Sequence, residues 1–154
     1  MTPAEHLRQL LTEIGPALDL EGVSEFDDGT FVIVRDDDST IYAELTEDGD
    51  VLVLSSELGT PDEECRLATF ETALIANYSA ASPSSPRIGL AGRNGPLQAV
   101  KPLEVSSVDF ERLKGSINEL FRLVDQWRNV MSRGGVAPQP IVVDAVEETA
   151  AVRV

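Results

Sequence analysis

Leu7, Leu10, Leu11, Ile14 and Leu18 recur three and four residues apart, a spacing that lays one apolar stripe along an α-helix. Thr2 is a competent N-cap, and Pro3 suits a first helical position because its missing N–H would be unpaired there anyway. Gly15-Pro16 predicts an early end or a kink. The period then changes. TFVIVR (30–35), TIYAEL (40–45) and DVLVLSS (50–56) are rich in β-branched and aromatic residues and read as strands, separated by acidic turns at Asp36–Asp38 and Glu47–Gly49. Thr60-Pro61-Asp62-Glu63 has the form of a capping box and predicts a second helix that ends near Tyr78. After the breaker SAASPSSP, RIGLAG (87–92) and LQAVKPLEV (97–105) flank Arg93-Asn94-Gly95, a hairpin signal. Phe110, Leu113, Ile117, Leu120, Phe121, Val124, Trp127 and Met131 then form the longest helical stripe, which Gly134-Gly135 stops.

The order α-β-β-β-α-β-β-α predicts an α+β sandwich, a twisted and mainly antiparallel sheet with three helices. We place one domain at 1–133. The segment 134–154 is expected to be a flexible tail, although its valines would also suit a strand.

The second helix carries a further signal. On a helical wheel Leu67, Phe70, Leu74 and Tyr78 gather on one side, and Cys65, Ala68, Thr72, Ile75 and Ala76 on the other. The large side chains are expected to pack on the sheet, while the small ones permit close approach of another element. A helix apolar on two sides is normally buried on two sides. The second neighbour is either the last helix or another copy of the chain. The strands pose the same question, because Phe31 and Ile33 oppose Val32 and Val34, so both sheet faces are apolar. The second face is therefore either covered or left as a binding surface.

Charge sharpens the picture. The net charge is −15. From Asp19 to Glu64 there are 16 acids and one base, Arg35, whereas Arg87 to Arg133 holds 8 bases and 5 acids. Such a chain repels nucleic acid and anionic membrane, and its acidic part suits a basic partner as well as solubility. The single cysteine, Cys65, excludes an internal disulfide framework and a Cys-rich zinc site. No basic-then-apolar leader opens the chain and no apolar run approaches a membrane span, so a cytoplasmic location is expected.

Four stretches resemble one family, the class I type III secretion chaperones, or Tir chaperone family. LRQLLTEIGPALDL resembles its opening Leu-rich helix, and VLVLSSELGTPDEE its strand-to-helix junction ending in Leu-Gly-x-Pro. LIANY resembles its Leu-x-Ala-Asn pattern, and LFRLVDQWRNVM its last helix. The likeness covers residues 4–131 and leaves out the tail. It implies a homodimeric, non-enzymatic chaperone of the bacterial cytosol, working without ATP or any cofactor. Such a chaperone holds the N-terminal segment of an effector extended along apolar patches and keeps it fit for export. The family's dimer contact maps onto Cys65 to Tyr78 and RIGLAG, so Cys65, Ala68, Thr72, Ile75 and Ala76 are the candidate dimer residues. Leu7, Leu11, Phe31 and Ile33 are the candidate cargo-binding residues, though a stripe and an alternating strand do not say which of them belong to the core.

Other chemistries have weaker support. The acidic turns lack the alternation and distal Glu of a calcium loop. Gly89, Gly92 and Gly95 precede no helix start and make no phosphate cradle. His6 is a lone histidine beside Glu5, and no Ser or Cys nucleophile has a visible base. We therefore assign no catalytic, metal or cofactor residues. A regulatory adaptor of the same fold outside secretion, a small acidic enzyme using paired carboxylates, and an acidic nucleic-acid mimic are the alternatives.

Overall fold

The computed structural model describes residues 1–80 and 82–137. Most of the expected tail, 138–154, lies outside the described residues. Among those described, the elements run α1 (Pro3–Ala17), β1 (Gly22–Glu25), β2 (Phe31–Val34), β3 (Thr40–Leu45) and β4 (Val51–Gly59). Then follow α2 (Arg66–Ser79), β5 (Arg87–Leu90), β6 (Leu97–Glu104) and α3 (Phe110–Ser132). The strands form one antiparallel sheet in the order β1-β2-β3-β4-β6-β5. This is the α+β architecture expected, with one unforeseen strand, β1, at an edge.

Local chemistry explains most element ends. The Thr2 hydroxyl accepts the Glu5 N–H at 3.2 Å, and the Glu5 carboxylate accepts the Thr2 N–H at 2.7 Å, so α1 opens on a full capping box. Gly15-Pro16 does not stop this helix, which runs on to Ala17. The second helix departs from expectation. Thr60 does not cap it; Glu63–Cys65 form a 3-10 turn without a side-chain cap, and α2 starts only at Arg66. For α3 the cap is Asp109, whose carboxylate accepts the Arg112 N–H at 2.8 Å. The β5–β6 turn holds Asn94 at φ 61°, the left-handed conformation that Asn tolerates.

One core joins the layers. Leu52, Leu54 and Leu58 alternate inward from β4, as do Leu97, Ala99 and Leu103 from β6. They meet Leu11 and Ile14 of α1 and Leu113, Ile117, Leu120 and Val124 of α3. Both helices thus cover one face of the sheet. The other face carries Val32, which is buried yet stands apart from this core, in register with the exposed Tyr42.

A charged clasp ties the β2–β3 turn to α3. Arg35 donates to Asp37 and Asp125 and lies 4.8 Å from the Phe121 ring, while Arg128 donates to Asp37 and to the Ser39 hydroxyl. The bonds from Arg35, Ser39 and Arg128 hold the Asp37 carboxyl far below the usual carboxylate range. A group with a depressed folded pKa stabilises above its unfolded pKa and loses that contribution as pH falls toward the folded value. Asp37→Asn should therefore cost about 1 kcal/mol at pH 7, near the upper limit for exposed pairs. The gap to the wild type should narrow once pH drops below about 4. Urea titrations across pH check this, and a gap constant down to acid would remove Asp37 from the clasp.

Candidate functional site

Two surfaces stand out. The first is α2. Thr69 and Ala73 are its buried residues, and Phe70 is partly buried. Leu67 is 80% exposed, Leu74 69%, Ile75 59% and Tyr78 92%. The large side of this helix thus does not pack on the sheet as expected: Leu67, Leu74 and Tyr78 point away from the body, and only Phe70 of that side is partly buried. Cys65, Ala68 and Thr72 are half-buried against the chain itself, while Ile75 and Ala76 are exposed. The reason is close approach. Gly134 and Gly135 reverse the chain after α3 at φ 75° and 84°. A β-carbon on Gly135 would collide with the Thr69 hydroxyl and amide, and the Thr72 hydroxyl donates to the Gly135 carbonyl at 2.7 Å. Only small residues fit there.

Asn77 fixes the other end of α2. Its side-chain amide donates to the Ile88 carbonyl at 2.8 Å and accepts the Ile88 N–H at 2.9 Å. Both main-chain groups that Ile88 presents away from β6 are thereby satisfied, as a neighbouring strand would satisfy them. This is the asparagine of LIANY, which the motif marked without saying what it does. Between α2 and α3 lies a cavity of about 460 Å³, lined by Ala76, Pro86, Ile88, Leu123, Trp127 and Val130 among others.

The second surface is a groove of about 400 Å³ between α1 and β1. Leu11, Gly15, Pro16, Leu20, Val23 and Phe31 supply its apolar lining. Arg8 and Glu25 close one end with a two-pronged ion pair at 2.7 and 2.8 Å. That bond holds the Glu25 carboxyl below the usual range. Beside the groove, β1 pairs only with β2, so its outer edge has no strand partner among the described residues.

The four cargo candidates require correction as exposed residues. Leu7, Leu11, Phe31 and Ile33 are each at most 3% exposed and belong to the core. They face the layer between sheet and helices, where alternation and stripe both converge. Leu11 and Phe31 nonetheless line the groove, and Leu7 and Ile33 do not. The groove residues that pattern reading missed are Leu20 and Val23, which belong to no run long enough to signal a strand.

The enzyme alternative gains nothing from the geometry. His6 Nε2 lies 3.2 Å from the Val108 carbonyl oxygen and donates to it, tying α1 to the approach of α3. Cys65 is half-buried beside Gly134. Among the described residues no helix is long and apolar enough to cross a membrane.

Residues 9–128 match the model of the Tir chaperone protein (CesT) family. Solved structures share the fold. The HopA1–SchA chaperone–effector complex contains a chain of 17% identity, matched with a TM-score of 0.66 over 82% of this chain and 95% of its own. A chain of the ExsC–ExsE complex is 13% identical, with a TM-score of 0.66 over 85% and 97%. A chain from the complex of the Yersinia pestis type III secretion chaperone SycH with a stable fragment of YscM2 is 18% identical, with a TM-score of 0.56 over 79% and 96%. Comparison with curated proteins finds no match.

Proposed function

The chain belongs to the Tir chaperone protein family, and from that premise we propose that it is a homodimeric, ATP-independent chaperone of the bacterial cytoplasm. It binds the N-terminal segment of a type III secretion effector in extended form and keeps that segment fit for export. It performs no catalysis.

The observation that carries this reading is the edge strand β1 beside an apolar groove. An extended segment added to β1 satisfies its own main-chain groups along the free edge and drops alternate side chains into the groove. Pro16, Leu20 and Val23 provide the apolar contact there, over a floor of buried Leu11 and Phe31. The acidic stretch from Asp19 to Glu64 speeds the encounter with a basic segment and contributes less to the final affinity. Dimerisation uses the exposed side of α2, with Leu67, Leu74, Ile75 and Tyr78, and the neighbouring β5.

The effector is to be recovered by co-purification from the native bacterium and identified by mass spectrometry. Binding kinetics of its N-terminal segment are then measured at two ionic strengths. Val23→Asp, which places a carboxylate in the groove, should speed release and weaken binding about tenfold or more, the scale of an unpaired polar group facing an apolar contact. Neutralising Asp36 and Asp38, whose carboxylates stand outside the clasp, should mainly slow association, and only at low salt. If binding depends on charge alone and vanishes at high salt, the groove reading fails and an electrostatic adaptor takes its place.

A further inference from the structure

The cavity between α2 and α3 begins where the described chain leaves off. After α3 the Gly135 N–H donates to the Val130 carbonyl at 2.9 Å. A β-carbon on Gly134 would touch the Cys65 sulfur, and Gly135 lies against Thr69 and accepts the Thr72 hydroxyl. Two residues on, Ala137 lines the cavity together with Thr72 and Ala76. Cys65, Thr69, Thr72 and Ala76 succeed one another at helical spacing along α2. The chain therefore climbs the seam between the two helices, from the start of α2 toward its end. On the α3 side the cavity runs from Val130 past Trp127 and Leu123 to Glu119. Residues 138–154 follow Ala137 in the sequence, and the course of the chain aims them into this space.

We propose that this cavity is the docking site of the chain's own segment Pro138–Ile141, with Pro138 over the Trp127 wall and Ile141 against Ile88. The length fits. Val130 to Glu119 is about 16 Å along α3 at about 1.5 Å per residue. A polyproline helix, rising about 3.1 Å per residue, covers that in about five residues. Counted from Gly135, which is held at Val130, those residues bring Pro140 level with Glu119 and Ile141 to the far end. The chemistry fits as well. No charge occurs from Gly134 to Val143, and Asp144 is the first beyond the cavity. Pro138 and Pro140 bring no N–H to be left unpaired in apolar surroundings, and each holds its neighbourhood extended. With three residues per turn, Pro138 and Ile141 share one edge of such a helix. Proline-rich segments dock in this form on aromatic-lined grooves, at low entropic cost. Strand pairing with Ile88 is closed to the segment, because Asn77 already holds both outward main-chain groups of that residue. Side-chain packing is what remains. The docked segment props α2 from beneath, independently of what β1 binds.

The test uses the full chain, labelled with nitrogen-15 and carbon-13, whose single tryptophan gives one indole N–H signal. Nuclear Overhauser contacts should join the Trp127 ring to Pro138 and the Ile88 methyls to Ile141. Ile141→Asp and Pro138→Gly/Pro140→Gly should each lose these contacts and shift the indole signal in the same direction. Neither variant touches a residue of the protomer core. Val146→Asp, a like change beyond the cavity, should leave contacts and signal in place. Labelled and unlabelled chains, refolded together in equal amounts, show whose segment is docked: isotope-filtered spectra should find no contact between chains at Trp127. Contacts found only between chains would give the cavity to a second copy's segment and overturn the proposal. Absence of any contact from Trp127 or Ile88 to residues 138–141, or an indole signal that both variants leave unmoved, overturns the docking. A shift in Val146→Asp as large as theirs overturns the assignment to Pro138–Ile141.

Discussion

Trp127→Ala is expected to cost about 3–5 kcal/mol of folding stability, the range for truncating a well-buried large aromatic residue. Trp127 is 3% exposed and sits in the core with Leu113, Ile117, Leu120, Phe121 and Val124 of α3. Its ring also lines the cavity between α2 and α3. That position makes collapse around an alanine difficult, because α2 is already anchored at Asn77 and Thr72 and cannot follow the missing ring inward. The cost therefore belongs at the upper part of the range, where the cavity persists. It is measured by urea denaturation followed by circular dichroism, since the chain's single tryptophan is the residue removed. A loss near zero would mean that α3 packs by another face.

The core was readable because it is written in periods. The α3 stripe and the alternation in β4 and β6 both mark one face, and both faces meet in the interior. β1 was not readable. GVSE has one large apolar residue, and a four-residue edge strand needs no alternation when β2 alone holds it. The capping box at Thr60 failed for a related reason. Its four residues were a local pattern, but the chain turns through Glu63–Cys65 before α2 begins. The wheel of α2 showed two apolar sides and left their assignment to size. Size misled, because the nearest neighbour is a glycine main chain at Gly135 that admits only Thr69 and its small companions. Contacts such as Arg35 with Asp125, far apart in the chain, leave no trace in any local pattern. The groove was half legible for the same reasons. Leu11 and Phe31 belong to periodic runs, whereas Leu20 and Val23 become visible only when β1 is in place beside α1.

Leu74→Arg should convert the proposed dimer to a folded monomer. Leu67, Leu74 and Tyr78 stand at intervals of seven and four residues along α2, the spacing of one helical face, and Ile75 stands at its flank. All four are more than half exposed in the single chain, and Leu90 of β5 adds a partly exposed apolar residue nearby. Each large side chain buried against a partner contributes about 1.5–3 kcal/mol. Association opposes this with about 4–15 kcal/mol of lost freedom, so the patch must be buried on both partners to yield a stable dimer. In a twofold contact the same surface is used twice, and one substitution therefore acts twice. A guanidinium at position 74 would be buried without a partner on each side, a penalty of about 3–5 kcal/mol for each uncompensated charge. The fold itself should survive, because Leu74 already faces solvent and stands outside the protomer core. Light scattering should then report half the wild-type mass, with an unchanged circular dichroism spectrum. Loss of helix signal would show that Leu74 supports the protomer. An unchanged dimer would move the contact away from α2, and a monomeric wild type would sink the dimer altogether.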